Sequence, residues 1–375
     1  MLDTVILKIP RGAYQLKSHM FTPNADILKG AGNYLVKCVS NPTAKDKREG
    51  IYRPRLTLIK RMTKKRDEIP LKVEFSVPKM LYGNNVEEVE EKDFDAVVEA
   101  LHRSMKEMGA LVSVEEIKKA TVSAFHPSKN IELKDGYTSG FVITELNKVN
   151  ASKKMDLNKD SFRNNGHSLQ FYTNSHSLVV YDKVQDLRKP DKRAIDKDQN
   201  SIQGSLFDVL IDKKNKREIL RVEVRLAKKV KMNSVIKSLG FKESPTFQEV
   251  FKKDLCKKIV LNYWQELVNS KDLFLFDMES NPKKTLEKVF KDNPKIKPKQ
   301  ALYLVGLWAL SKEGIRATRA IIERRADKRT WYRIAEDLPL LNDISGKVYH
   351  GWVKRINDVL ADFAPFKLST SVVAV

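Results

Sequence analysis

Cysteine is almost missing: Cys38 and Cys256 are the only two in 375 residues. Two thiols so far apart make neither a disulfide framework nor a thiolate zinc site, and a reducing cytoplasm is the compartment they imply. Histidine is scarce too, at six. There is no HExxH, no CxxC and no His–hydrophobe–His pair, and no GxxxxGK[ST] loop that would hold a nucleotide phosphate. The longest clearly apolar run, Ala301 to Leu310, is half of the roughly 20 residues that cross a bilayer, so no membrane partner is expected. The opening MLDTVILKIP has an aspartate where a secretory leader carries basic residues, and it does not read as a signal peptide.

Positive charge is what the chain has in excess. Seventy Lys and Arg face 48 Asp and Glu, a formal net charge of +22. Such a surplus repels itself and favours a polyanion, which points to nucleic acid and by itself says nothing of catalysis.

The first 240 residues read as short strands with a few helices. Thr4 to Ile9, Tyr34 to Val39, Tyr52 to Lys60, Leu71 to Val77, Thr121 to His126, Ser168 to Tyr172, Ser177 to Lys183 and Ile219 to Leu226 are β-rich runs between turn residues. Val97, Val98, Leu101 and Met105 have helical spacing, and Gly109 stops that helix. The charged stretch Arg188 to Gln203 reads as an exposed loop. From Thr246 the pattern turns helical. Thr246 and Glu249 form a capping-box signature ahead of an apolar face that runs from Phe247 to Leu267. Residues 299–311, 315–326 and 328–338 read as three further helices. The expected fold class is α+β: an antiparallel-sheet domain over 1–240, then a helical, helix-turn-helix-like domain over 241–375.

Three strands carry groups that chemistry could use. SLVVYDKVQDL places Val179, Tyr181 and Lys183 on one face of a strand. A phenol ionises near pH 10, so a nucleophilic tyrosine needs a neighbouring cation, and Lys183 is a candidate. LRVEVRL puts Arg221, Glu223 and Arg225 on one face, and LKVEFSV puts Glu74 opposite Val73 and Phe75. Strand carboxylates suit a hard divalent cation, and an arginine beside them can clamp a phosphate. Each pattern also has a plain structural reading: a tyrosine favoured in strands, and the solvated face of a half-exposed sheet.

Taken in order, these segments resemble the replication initiators of filamentous phages, of the gene II type, and the related plasmid rolling-circle initiators. MLDTVILKIP resembles the family's opening strand, and LKVEFSVPKMLYGNN its segment with a strand glutamate and a Pro–Lys. SLVVYDKVQDL resembles the strand of its nucleophilic tyrosine, LRVEVRL its later Glu–x–Arg strand, and Ala301 to Leu338 its helical tail. The resemblance implies an endonuclease that nicks one origin strand through Tyr181, forms a 5′-phosphotyrosine, and later rejoins the displaced strand. It implies Arg225 as a catalytic aid, beside the Lys183 that the strand itself offers, and Mg²⁺ or Mn²⁺ as the cofactor. Where the family has arginine–x–aspartate this chain has Ala124–Phe125–His126, so Glu74, His126 and Glu223 become the expected metal ligands. Origin DNA, both double- and single-stranded, would be the partner, with a host helicase and polymerase.

For DNA contact, Arg53 and Arg55 in IYRPRLTLIKR join Arg316, Arg319, Lys328, Arg329, Thr330, Tyr332 and Arg333 of the tail, types that meet phosphates and base edges. Asp327 is placed to cap the helix that holds the last five. The alternative is a non-catalytic origin-binding initiator or repressor in which Tyr181 is structural. A tyrosine recombinase is a third reading, but no HxxR sequence occurs.

Overall fold

Alternation of apolar and polar residues builds one large sheet. The computed structural model describes residues 1–30, 35–60, 69–149, 160–163, 166–187, 217–268, 275–276, 281–341 and 348–368. Eleven strands occur among them: β1 Leu2–Ile9, β2 Gln15–Leu16, β3 Val36–Ser40, β4 Arg55–Lys60, β5 Leu71–Ser76, β6 Ala110–Leu111, β7 Thr121–Glu132, β8 Asp160–Arg163, β9 Ser168–Tyr172, β10 His176–Asp182 and β11 Ile219–Leu226. Nine form a sheet in the order β3-β4-β5-β1-β7-β11-β10-β9-β8. Every neighbouring pair in it is antiparallel. The fold is thus α+β with a large antiparallel sheet, and no described helix is long and apolar enough to cross a membrane.

One face of the sheet is apolar. Val5, Leu7, Val73, Phe75, Phe125, Ile131, Val222, Val224, Leu178 and Val180 are all buried there, against the helices Phe94–Glu107, Phe247–Val250 and Lys253–Val268. The last of these packs on β7 and β11 with Leu255, Ile259, Val260, Tyr263, Trp264 and Leu267. Trp264 Nε1 donates to Asn357 Oδ1 at 2.6 Å, joining that helix to Gly351–Asp362. Cutting a buried tryptophan back to alanine costs ~3–5 kcal/mol, so this pair is a major tie between the late chain and the sheet.

The Thr246–Glu249 capping box forms as expected, but the helix after it breaks at Phe251–Lys252 into two pieces. The segment also does not pack apart from the sheet: it supplies the sheet's cover. A separate apolar cluster gathers Val289, Ala301, Leu304, Val305, Leu307, Trp308 and Leu341, from the helices Pro282–Asp292, Pro298–Glu313 and Lys328–Leu341. Ile315–Arg325 lies between the last two; it buries Ile315 and Thr318, while Ile321 is exposed.

Two strand ends differ from expectation for local reasons. β7 runs through Pro127 to Glu132 instead of stopping at His126. Its pairing with β1 shifts register between Leu2 and Thr4, next to the proline, and an irregularity of this kind accommodates a residue without an N–H. β10 ends at Asp182, whose Oδ1 accepts from Gln185 N at 2.9 Å and starts the helix Lys183–Leu187. Helix 94–107 ends as expected at Gly109, whose φ of 83° a side chain would resist. The loop expected from Arg188 to Gln203 lies outside the described residues.

Candidate functional site

The opposite face of the sheet is polar, and its chemistry gathers where β7, β11 and β10 lie side by side. Antiparallel register sets Tyr181 opposite Arg221, Val179 opposite Glu223, and Glu223 opposite Ser128. Side chains at paired positions point the same way, so LRVEVRL delivers Arg221, Glu223 and Arg225 beside the tyrosine. β10 is buried along its whole length, which explains its near-continuous apolar sequence.

Glu223 is the hub. The Tyr181 hydroxyl donates to its Oε2 at 3.1 Å. Arg225 Nε donates to its Oε1 at 2.7 Å, and His126 Nδ1 stands 3.5 Å from the same oxygen. Burial pushes the Glu223 carboxyl up, but Arg225 and His126 outweigh it and hold the group well below the usual carboxylate range. Burial raises the Tyr181 phenol well above 10; Glu223, Asp186 and Asp3 add to that, against the opposing pull of Arg221. The resting pair is therefore a neutral phenol on a carboxylate. Tyr181 is 8% exposed and Glu223 2%, while His126 at 20% and Arg225 at 39% mark the accessible side.

Lys183 does not share a strand face with Tyr181. It opens the next helix, is fully buried, pairs with Asp186 at 3.3 Å, and lies 5.8 Å from the Tyr181 ring centroid. Burial lowers its ammonium to about 8. Its charge thus lies over the Tyr181 ring, with Asp186 as its ion-pair partner.

The expected metal triad does not assemble. Glu74 lies two strands from His126, across β1, opposite Ile6, whereas His126 is opposite Thr4. Its carboxylate is partly exposed and taken by Lys72 at 3.2 Å. Both Glu223 oxygens already have donors, and no group of three His, Cys, Asp or Glu side chains fit to hold a metal exists among the described residues. A hard cation wants six or more oxygens, and this cluster presents guanidinium and imidazole instead. The residues present do not fit a three-ligand Mg²⁺ or Mn²⁺ centre.

Two participants were given no role of their own from the sequence. Arg221 Nη1 is 3.4 Å from the Tyr181 hydroxyl oxygen, and its Nη2 is 3.4 Å from Asp3 Oδ1. Strand parity already sets Arg221 on the face of Glu223 and Arg225, without naming the tyrosine as its partner. Asp3 could not be found that way, because only the β1-β7-β11 order brings it near.

The expected DNA contacts divide sharply. Arg53 is spent on Asp46, at 3.1 Å, and on Glu107. Arg55 sits half-buried on β4, opposite Glu74. Arg316 donates twice to Asn147, both at 3.1 Å, tying the tail to the end of helix Ser139–Leu146. Arg319 pairs with Glu323 at 2.8 Å and faces the buried Trp331. Arg329, Tyr332 and Arg333 are exposed and Thr330 is half-buried; the Lys328 side chain lies outside the described set. Asp327 does cap this helix, its Oδ1 accepting from Arg329 N at 3.0 Å. No family model matches the chain, and neither a curated protein nor a solved structure matches it.

Proposed function

We propose that the chain nicks one strand of DNA by nucleophilic attack of Tyr181, as a rolling-circle replication initiator does. The observation that carries the reading is the Tyr181–Glu223 hydrogen bond inside a cluster of buried charges. Burying a carboxylate and a guanidinium costs several kcal/mol each unless they are well paired, so such groups are more at home in a working site than in a core. In the proposed step Tyr181 Oη forms a bond to phosphorus as the P–O3′ bond breaks. The phenol proton passes to Glu223, and the leaving 3′-oxygen takes a proton from water. The products are a 3′-hydroxyl and a 5′-phosphotyrosine, and attack by a 3′-hydroxyl reverses the step to rejoin a strand. Arg225, half-exposed beside the pair, meets the phosphate. Proton acceptance by a placed carboxylate is worth roughly 10²–10⁴ in rate.

The net charge of +22 supplies the affinity for DNA. Arg329, Tyr332 and Arg333, on one exposed face of Lys328–Leu341, are the duplex-contacting surface in this account. The helix pair Ile315–Arg325 and Lys328–Leu341 serves as the helix-turn-helix-like element. Origin DNA is the substrate, in the cytoplasm of a host whose helicase and polymerase act on the nicked product. A second reading, a non-catalytic origin-binding protein, is favoured by one observation, the 8% exposure of Tyr181.

Mixing the protein with end-labelled DNA of its own replicon and a divalent metal, then denaturing, separates the two. A labelled adduct lost in Tyr181→Phe supports nicking. Tight, salt-sensitive binding without an adduct supports the second reading.

A further inference from the structure

We infer that Arg221 holds the Tyr181 oxygen in register and takes up the charge that develops on it as the proton leaves, an inference that rests on the strand-nicking reading of this site. Arg221 lies on the polar face of β11, one pair along from Glu223, and is fully buried. A guanidinium has five N–H donors in a fixed fork. Here one end of the fork, Nη1, reaches the Tyr181 oxygen at 3.4 Å. The other end, Nη2, faces Asp3 Oδ1 at 3.4 Å without a well-formed hydrogen bond, and Nε has no hydrogen-bond partner. A buried cation this poorly satisfied is costly, and a packed apolar residue would serve stability better. Its placement makes sense if its best partner exists only during the reaction.

The distances favour that view. A contact of 3.4 Å is long for a neutral hydrogen bond, whereas a donor to an oxyanion closes to ~2.7–2.9 Å. The interaction therefore strengthens as negative charge appears on the tyrosine oxygen, which is the condition for lowering a barrier instead of merely binding the ground state. The other groups around Tyr181 cannot do this. Glu223, Asp186 and Asp3 oppose a phenolate. Lys183 is paired to Asp186 and lies over the ring, with Lys79 as a further nearby cation. Arg225 is bound to Glu223 through Nε. Arg221 is thus a positioning residue acting through Tyr181, with Asp3 setting the guanidinium's tilt.

The test replaces Tyr181 with 3-nitrotyrosine, whose phenolate alone absorbs visible light, and follows its ionisation in the full-length chain without DNA. Arg221→Gln is expected to move the midpoint up by about one pH unit or more, Arg221→Lys by less, and Asp3→Asn in the opposite direction. In the unmodified chain, Arg221→Gln should slow adduct formation with labelled DNA by roughly 10²–10³-fold at unchanged DNA affinity, and Arg221→Lys should recover part of that. Should Arg221→Gln not fold, the opposed shifts of Arg221→Lys and Asp3→Asn still decide the matter. Unmoved midpoints in folded variants, with the adduct still forming, overturn the inference. Shifts as expected in a protein that yields no adduct uphold the Arg221–Tyr181 coupling and overturn the nicking reading.

Discussion

Tyr181 donates its hydroxyl hydrogen to Glu223 across adjacent strands at 3.1 Å, and Glu223 in turn is held ionised by Arg225 and His126. The tyrosine is thereby fixed as a protonated phenol with its proton already aimed at an acceptor. Replacing Glu223 with glutamine keeps the shape and removes the acceptor. We expect adduct formation to fall by roughly 10²-fold or more, read in single-turnover time courses. Because the change leaves Arg225 and His126 without their anion, unfolding free energy should also drop, by about 3 kcal/mol. An unchanged rate would remove Glu223 from the proton path.

Lys183 should imprint itself on the pH dependence of stability. Burial lowers its ammonium from 10.5 to about 8. Between those values the unfolded chain binds more protons than the folded one, so stability rises with pH across the window and is poorest below it. Tyr181 works the other way above its ordinary value of 10.0, where the unfolded phenol ionises first, and so ends the rise near there. Denaturant unfolding at pH 7 to 10 should show Lys183→Met more stable than the parent at pH 7, with the gap closing by about 2–3 kcal/mol toward pH 10. A constant gap contradicts a depressed lysine.

Two arginines, one on each helix of the tail's pair, should separate cleanly. Arg316→Ala removes two bonds to Asn147, and is expected to cost about 1–3 kcal/mol of stability with little change in the salt dependence of DNA binding. Arg333→Ala should leave the melting temperature in place and lower the slope of log affinity against log salt by about 0.9 on duplex DNA, one phosphate's worth. The reverse pattern would move the DNA surface elsewhere.

Glu74 gives a test of the metal expectation. It is held by Lys72 and lies away from His126 and Glu223. Glu74→Gln should leave adduct formation unchanged at every point of a Mg²⁺ or Mn²⁺ titration. A shift of the half-saturating metal concentration by about tenfold or more would place Glu74 at a metal after all.

Much of this was legible because strand parity is a property of the chain itself. The faces of LRVEVRL and SLVVYDKVQDL follow from alternation, and the sheet uses them that way up to Asp182. Lys183 was lost because Asp182 caps a helix there, a choice made by one side-chain hydrogen bond. The Glu74–His126–Glu223 grouping failed because strand order is non-local: β1 inserts between β5 and β7, and nothing in the three segments says so. Burial was misjudged in the same way. Glu223 and Arg221 read as one face of a half-exposed sheet, yet both are nearly water-free, while Arg225 on the same strand face and Glu74 on β5 remain partly solvated. The helices Pro282–Asp292 and Gly351–Asp362 were not expected.

Site mapping of the covalent product bears most directly on the nucleophile. Protein reacted with DNA carrying its replicon's origin, digested with nuclease and protease, and analysed by tandem mass spectrometry should yield one nucleotide-bearing peptide. The account predicts the phosphate on Tyr181 and nowhere else. Phosphate on Tyr172, or a reaction that nicks DNA and leaves every tyrosine peptide unmodified, would contradict it.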